Sequence, residues 1–167
     1  MQYSIVALVV LAATAIPAFA AGNFHHDANA PDGIYAHYIG DDGSPTSVLL
    51  AGLKPNATHA NERRGYPQGV NCQSSILMNA EDLQSADNQL ASIFGGGLQF
   101  FHIISAKSGS AVAYGCDYGH GQVMSSDEFL GYMLDVSTEC GASSAGFYNI
   151  PNSKSAYGRT NVGISFC

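Results

Sequence analysis

Hydrophobic and polar positions change period in blocks along the chain, beginning with an unbroken apolar run from Ile5 to Ile16. The run closes on Pro17-Ala18-Phe19-Ala20 before Ala21, the form of a secretory h-region with an A-x-A cleavage site. Ala20 is therefore expected to end a signal peptide over residues 1–20. A membrane anchor would need about twenty apolar residues, more than this run supplies. As far as Arg64 the pattern is irregular and rich in Gly, Pro, Asp, Asn and His, with Gly33 to Ile39 as a strand candidate. Regular spacing begins after that. Val70-Asn71-Cys72 reads as a short strand. Leu83, Ala86, Leu90, Ile93 and Phe94 then recur at helical spacing behind Asn79 as N-cap. Glu81 and Asp82 sit at the positive end of that helix dipole, and Gly95-Gly96-Gly97 ends the helix. Leu98 to Ala106 predicts a strand, Lys107-Ser108-Gly109 a turn, and Ala111 to Cys116 the returning strand of a hairpin. Ser125 and Glu128 have capping-box spacing before a second helix whose apolar face is Phe129, Met133 and Val136. Gly146 to Ile150 is a further short strand. Thr160, Val162, Ile164 and Phe166 alternate with Asn161, Gly163 and Ser165, which predicts a last strand with one buried face.

The order of these elements predicts an α+β fold. It would be a two-layer α/β sandwich built on a split βαβ unit, with a mainly antiparallel sheet carrying two helices on one face. Charge narrows the partners. A net charge of −7 with only six Lys and Arg leaves no basic surface for nucleic acid or anionic lipid, whose phosphates need clustered cations. The four cysteines Cys72, Cys116, Cys140 and Cys167 all follow residue 64, and an even number in an exported chain reads as two disulfides. Residues 65–167 are thus expected to be the disulfide-stapled domain, and residues 21–64 a propeptide or N-terminal segment. Within that segment Asn56-Ala57-Thr58 is a glycosylation sequon at Asn56. Arg63-Arg64 is the dibasic pair a kexin-type processing protease would read, and it lies where composition and cysteine content change together. The alternative is two ordinary surface arginines.

Enzymatic signatures are missing from the sequence: no nucleophile elbow, P-loop, zinc helix motif or EF-hand loop occurs. No catalytic residue, cofactor or metal ligand is expected. The nearest approach to an active site is His102 with Asp117 and His120, which would set a carboxylate beside an imidazole for general base work. The opposing reading has Asp117 and Gly119 shaping the turn that leaves a strand. His25-His26-Asp27 reads as a solvated terminal cluster or a metal site, and helix capping accounts for Asp127 and Glu128. Lys107, placed in the hairpin turn, is the candidate target contact. Tyr114, Tyr118, Phe147, Tyr148 and Tyr157 would supply an aromatic face for a cell-wall polymer.

Gly69-Val70-Asn71-Cys72-Gln73-Ser74-Ser75, Cys140-Gly141 with Phe147-Tyr148, and Gly158-Arg159-Thr160-Asn161-Val162 running into Cys167 carry a family likeness. The chain resembles the secreted fungal killer toxins of the killer protein four family over residues 69–167. The resemblance implies an α/β-sandwich toxin that interferes with calcium uptake through channels. Those toxins are basic and rich in cysteine, with a lysine just before the third-strand cysteine. This chain has Tyr114-Gly115 there and fewer cysteines.

Strand directions select the cysteine pairs. With Cys72 near the end of the sheet where the first helix begins, the hairpin's second strand delivers Cys116 to the opposite end. A second helix of about a dozen residues climbs close to 18 Å and returns Cys140 to the first end. A descending last strand then leaves Cys167 beside Cys116. Bridged Cα atoms lie within about 7 Å of each other, so only Cys72–Cys140 and Cys116–Cys167 are within reach. The resemblance implies the same linkage.

Three functions are set against one another. The first is a secreted, monomeric toxin-like or effector protein that acts on a competing or host cell through a membrane or cell-surface protein. The second is a non-toxic extracellular module binding a cell-wall polymer. The third is a small hydrolase.

Overall fold

In the computed structural model, which describes residues 24–50, 69–119 and 121–167, both helices start at the caps the sequence marks. Ala20, Asn56, Arg63, Arg64 and His120 lie outside the described residues. Helix α1 (Ala80–Phe94) begins at Asn79, whose Oδ1 accepts from the Glu81 and Asp82 amides at 2.8 and 3.1 Å. It buries Leu83, Ala86, Leu90, Ile93 and Phe94 and ends at Gly95, where φ is 49°. Helix α2 (Ser126–Cys140) begins at Ser125, whose hydroxyl accepts from the Glu128 amide at 3.3 Å. Glu128 makes its own side-chain bond one turn on, accepting from the Tyr132 hydroxyl at 2.8 Å.

Seven strands form one sheet in the order β2-β1-β5-β6-β9-β8-β3, with every neighbouring pair antiparallel. They are β1 (Gly33–Ile39), β2 (Pro45–Leu49), β3 (Gly69–Leu77), β5 (Ile103–Ser108), β6 (Ala111–Asp117), β8 (Ser144–Ile150) and β9 (Ser155–Asn161). A separate ribbon pairs β4 (Leu98–Phe100) with β7 (Gln122–Met124). Helix α1 lies on β5 and β6, and α2 on β3, β8 and β9, so both helices cover one face as an α+β sandwich requires. Between the layers Phe94, Phe129, Leu90, Met124 and Tyr157 form the centre of the core. A second apolar cluster of Phe24, Ile103, Val112, Tyr114, Cys116, Ala156 and Phe166 joins the segment before β1 to the segment after β9.

Three details differ from the sequence expectation. The run from Leu98 is two strands rather than one: His102 takes φ 66° and turns the chain, so β4 joins the ribbon and only β5 enters the sheet. The hairpin turn falls at Gly109-Ser110, which leaves Lys107 inside β5. The last strand stops at Asn161, because Gly163 at φ 76° reverses the chain and Phe166 makes only an isolated bridge to Phe24. The strand expected at Gly33–Ile39 does form, and it pairs with β5 in the main sheet.

The disulfides join Cys72 to Cys140 and Cys116 to Cys167, with Cα separations of 5.3 and 5.7 Å. The second pair arises by another path than the expected one. β8 descends from the end where α2 finishes, β9 climbs back, and the tail beyond Gly163 returns to bring Cys167 to Cys116.

Candidate functional site

Three connections meet at the end of the sheet where β6 finishes: Phe101-His102, residues 117–119 with Gly121, and Pro151 to Lys154. Asp117 holds them in shape. Its Oδ1 accepts from the Gly119 amide at 2.8 Å and from Gln122 Nε2 at 3.2 Å, and its Oδ2 accepts from the Gly121 amide at 2.8 Å. Gln122 Nε2 also donates to the Ser153 carbonyl at 2.7 Å, and the Tyr118 amide donates to the Lys154 carbonyl at 2.8 Å. The Asp117 amide donates to the His102 carbonyl at 2.6 Å. Gly121 has φ 104°, and a Cβ there would stand 2.6 Å from Phe101 Cε1, so the phenyl ring lies over a residue that must be glycine.

This cluster shows aromatic and cationic groups to solvent. Phe101 is 57% exposed and Tyr118 51% exposed. Lys154 is exposed as well, in a left-handed conformation with φ 52° and ψ 52°. Non-glycine residues in that region carry a cost of order 1 kcal/mol or more and persist only where their surroundings fix them. His102 and Lys154 are two such residues, and both belong to these connections.

Lys107 is not the exposed contact that the sequence suggested. It is 3% exposed, and its Nζ lies 2.9 Å from Asp32 Oδ1. Arg159 is buried too, which leaves Lys154 as the exposed Lys or Arg among the described residues. The expected polymer-binding aromatics fare similarly. Tyr114, Tyr148 and Tyr157 are buried and Phe147 is half-buried, so of the five only Tyr118 is open to solvent.

Of the hydrolase reading's three residues, His120 lies outside the described residues, His102 turns the chain between β4 and β5, and Asp117 has another use. Both Asp117 oxygens accept from donors of their own loop, as the turn reading requires. His26 is not a solvated terminal residue: it is buried with its Nε2 2.8 Å from Ser105 Oγ, and burial, helped by Lys107 and His25, pushes its pKa down to about 4. No group of three His, Cys, Asp or Glu among the described residues is placed to hold a metal ion.

No family model, curated protein or solved structure matches this chain. Function is therefore argued from the loop cluster itself. Sequence reasoning missed Phe101, because it stood inside an apolar run read as a buried strand. It also missed Lys154, although Pro151-Asn152-Ser153 before it has turn composition.

Proposed function

We propose that this chain is a secreted, toxin-like or effector protein that binds a membrane or cell-surface protein of a competing or host cell, with Phe101, Tyr118 and Lys154 making the contact. The observation that carries this reading is the grouping of two exposed aromatic rings and an exposed cation on connections fixed by Asp117. Aromatic side chains dominate interface hot spots, and groups already held in place lose less entropy on binding. Two disulfides suit an extracellular setting, and among the described residues no helix is long and apolar enough to cross a membrane. The likeness of residues 69–167 to the killer toxins suggests an ion channel as target class.

The test is growth inhibition of fungal and plant cells by the purified secreted protein, with and without added calcium. The expected result is inhibition that falls at least ten-fold in a Phe101→Ala/Tyr118→Ala/Lys154→Ala variant whose thermal unfolding is unchanged. Full potency in that variant would move the contact elsewhere. Inhibition indifferent to calcium would remove the calcium-channel mechanism. The polymer-binding reading retains Tyr118 and Phe101 as stacking platforms; retention on chitin or glucan without growth inhibition would favour it.

A further inference from the structure

Residues 24–50 are tied into the sheet through contacts that are all non-covalent apart from the backbone leading to β3. Strand β1 runs along β5 from Gly33 opposite Lys107 to His37 opposite Ile103. Asp32 Oδ1 accepts from Lys107 Nζ at 2.9 Å and from the Gly109 amide at 3.0 Å. Phe24 bridges Phe166, and the Gly163 amide donates to the His26 carbonyl at 2.9 Å. Phe24, His26, Tyr35 and His37 are all buried. Both disulfides lie within residues 72–167, so neither reaches this segment.

We propose that residues 24–50 are a strand-donor segment that keeps its place without a covalent tie, so that cleavage after Arg64 gives a two-chain protein whose N-terminal chain is released in acid. The physiological cut rests on the processing reading of Arg63-Arg64, whereas the bound state rests on the contacts above. A departing segment would uncover Ile103, Ser105 and Lys107 together with the hydrogen-bonding edge of β5, which is why it remains at neutral pH.

Acid acts through two imidazoles that meet at one hydroxyl. Ser105 Oγ lies 2.8 Å from His26 Nε2 and 2.6 Å from His37 Nε2, and Ser47 Oγ lies 2.7 Å from His37 Nδ1. One hydroxyl has one proton to give, so at most one of the two Nε2 atoms accepts from Ser105, and with the two buried rings 5.1 Å apart, charging both would set like charges side by side. Their titratable and charged surroundings come from several elements. His25 on the N-terminal arm and Lys107 on β5 act on His26, and His26 acts on His37. The Tyr35 ring on β1 stands 4.4 Å from that of His26, and Phe166, which faces both imidazoles, stacks on Tyr114 of β6. Strand β2 contributes only the uncharged Ser47. Neither ion pair among the described residues involves His26 or His37, and Asp32 is engaged with Lys107. Burial holds His26 down to about 4, with Lys107 and His25 adding to it, and holds His37 down to about 3, with His26 adding. In a released chain both would titrate near 6.5, so the two chains should bind on the order of 10⁴-fold more weakly at pH 4 than at pH 7.5.

The experiment uses the full secreted chain with a site-specific protease sequence inserted after Arg64, so that the cut does not depend on a kexin-type enzyme. Complete cleavage is verified by non-reducing denaturing mass analysis. Gel filtration at pH 7.5 should recover both pieces together, and at pH 4 the N-terminal piece should elute separately while the piece carrying the disulfides keeps its far-ultraviolet dichroism. Separation at pH 7.5 overturns the non-covalent two-chain state. Continued co-elution at pH 3, below or at both histidine values, overturns acid release. A His26→Gln/His37→Asn chain should stay associated at pH 4, and release of that variant at the same pH as the parent would assign the effect to other groups. Whether Arg63-Arg64 is cut in nature is read separately, from the mass of the native secreted product.

Discussion

Replacing Arg159 by leucine should destabilise the protein by an amount that depends on pH. Arg159 is 2% exposed and reaches from β9 to the far end of α2. Its Nε donates to the Ser144 carbonyl at 3.0 Å, its Nη1 to Ser137 Oγ at 2.8 Å and its Nη2 to the Gly141 carbonyl at 2.9 Å. The guanidinium also stands 4.0 Å from Asp87 Oδ2, and Asp87 Oδ1 has no hydrogen-bond partner. Removing one member of a buried ion pair costs about 3–5 kcal/mol, because the other charge stays buried alone. Here Asp87 has an escape. Burial already raises its pKa to about 7, and Arg159 is the group that opposes the rise. Without the arginine the carboxyl takes up a proton at still higher pH, which removes the stranded charge. The loss at pH 8 should therefore exceed the loss at pH 5 by about 1.4 kcal/mol at most, because raising the Asp87 pKa from about 7 to 8 or beyond is worth one pKa unit at that pH. At pH 5, where Asp87 is protonated in both proteins, it should fall to the loss of the three hydrogen bonds. Urea unfolding at the two pH values with disulfides intact measures this. A loss below 1 kcal/mol, or one equal at both pH values, would refute the reasoning. Asp87→Leu/Arg159→Leu should recover part of the loss at pH 8.

Stability should rise between pH 5 and 6.5. His26 and His37 have folded pKa values lowered from 6.5, so their contribution is present above 6.5 and is lost as pH falls towards about 4 and about 3. Asp87, raised from 3.8 to about 7, contributes in the opposite sense, with stability present at low pH and lost as pH rises. In His26→Gln/His37→Asn the slope should accordingly reverse sign, and an unchanged slope in denaturant titrations would count against the buried pair. Cys116→Ser/Cys167→Ser opens a link between residues 51 positions apart and should cost up to ~4 kcal/mol, read as a fall in thermal midpoint relative to the parent. Gly158→Ala should destabilise by about 1–3 kcal/mol or more, since its Cβ would lie 2.6 Å from Phe147 Cβ and Tyr114 Oη and 2.7 Å from the Gly146 carbonyl. An unaltered melting curve would contradict that close approach.

The helices were legible because their signals are local: Asn79, Ser125 and Gly95 lie within one turn of the backbone groups they satisfy. Strand ends were less so. β5 and β6 are buried on both faces, so no alternation marked where the hairpin turned, and Lys107 was placed two residues from its true position relative to the turn. The buried histidines were invisible for another reason. A polar residue can enter a core only when its partners are known, and those of His26 and His37 lie 79 and 68 residues away at Ser105. Of the candidate site, Tyr118 was legible as an aromatic in a glycine-rich connection. Phe101 depended on the left-handed His102 that breaks its strand.

Every open sheet faces the hazard that its outermost strands recruit others, and here both borders are poor templates. β2 is five residues long and opens on Pro45, which has no amide hydrogen to offer. β3 is irregular in register between Gln73 and Leu77 and is cross-linked to α2 through Cys72. Strand β5 has no such protection of its own: it is straight in register, buried on both faces and free of proline. The hairpin of β1 and β2 thus acts as a fender for the sheet, and a molecule that lost it would present the one border suited to fibril-like pairing.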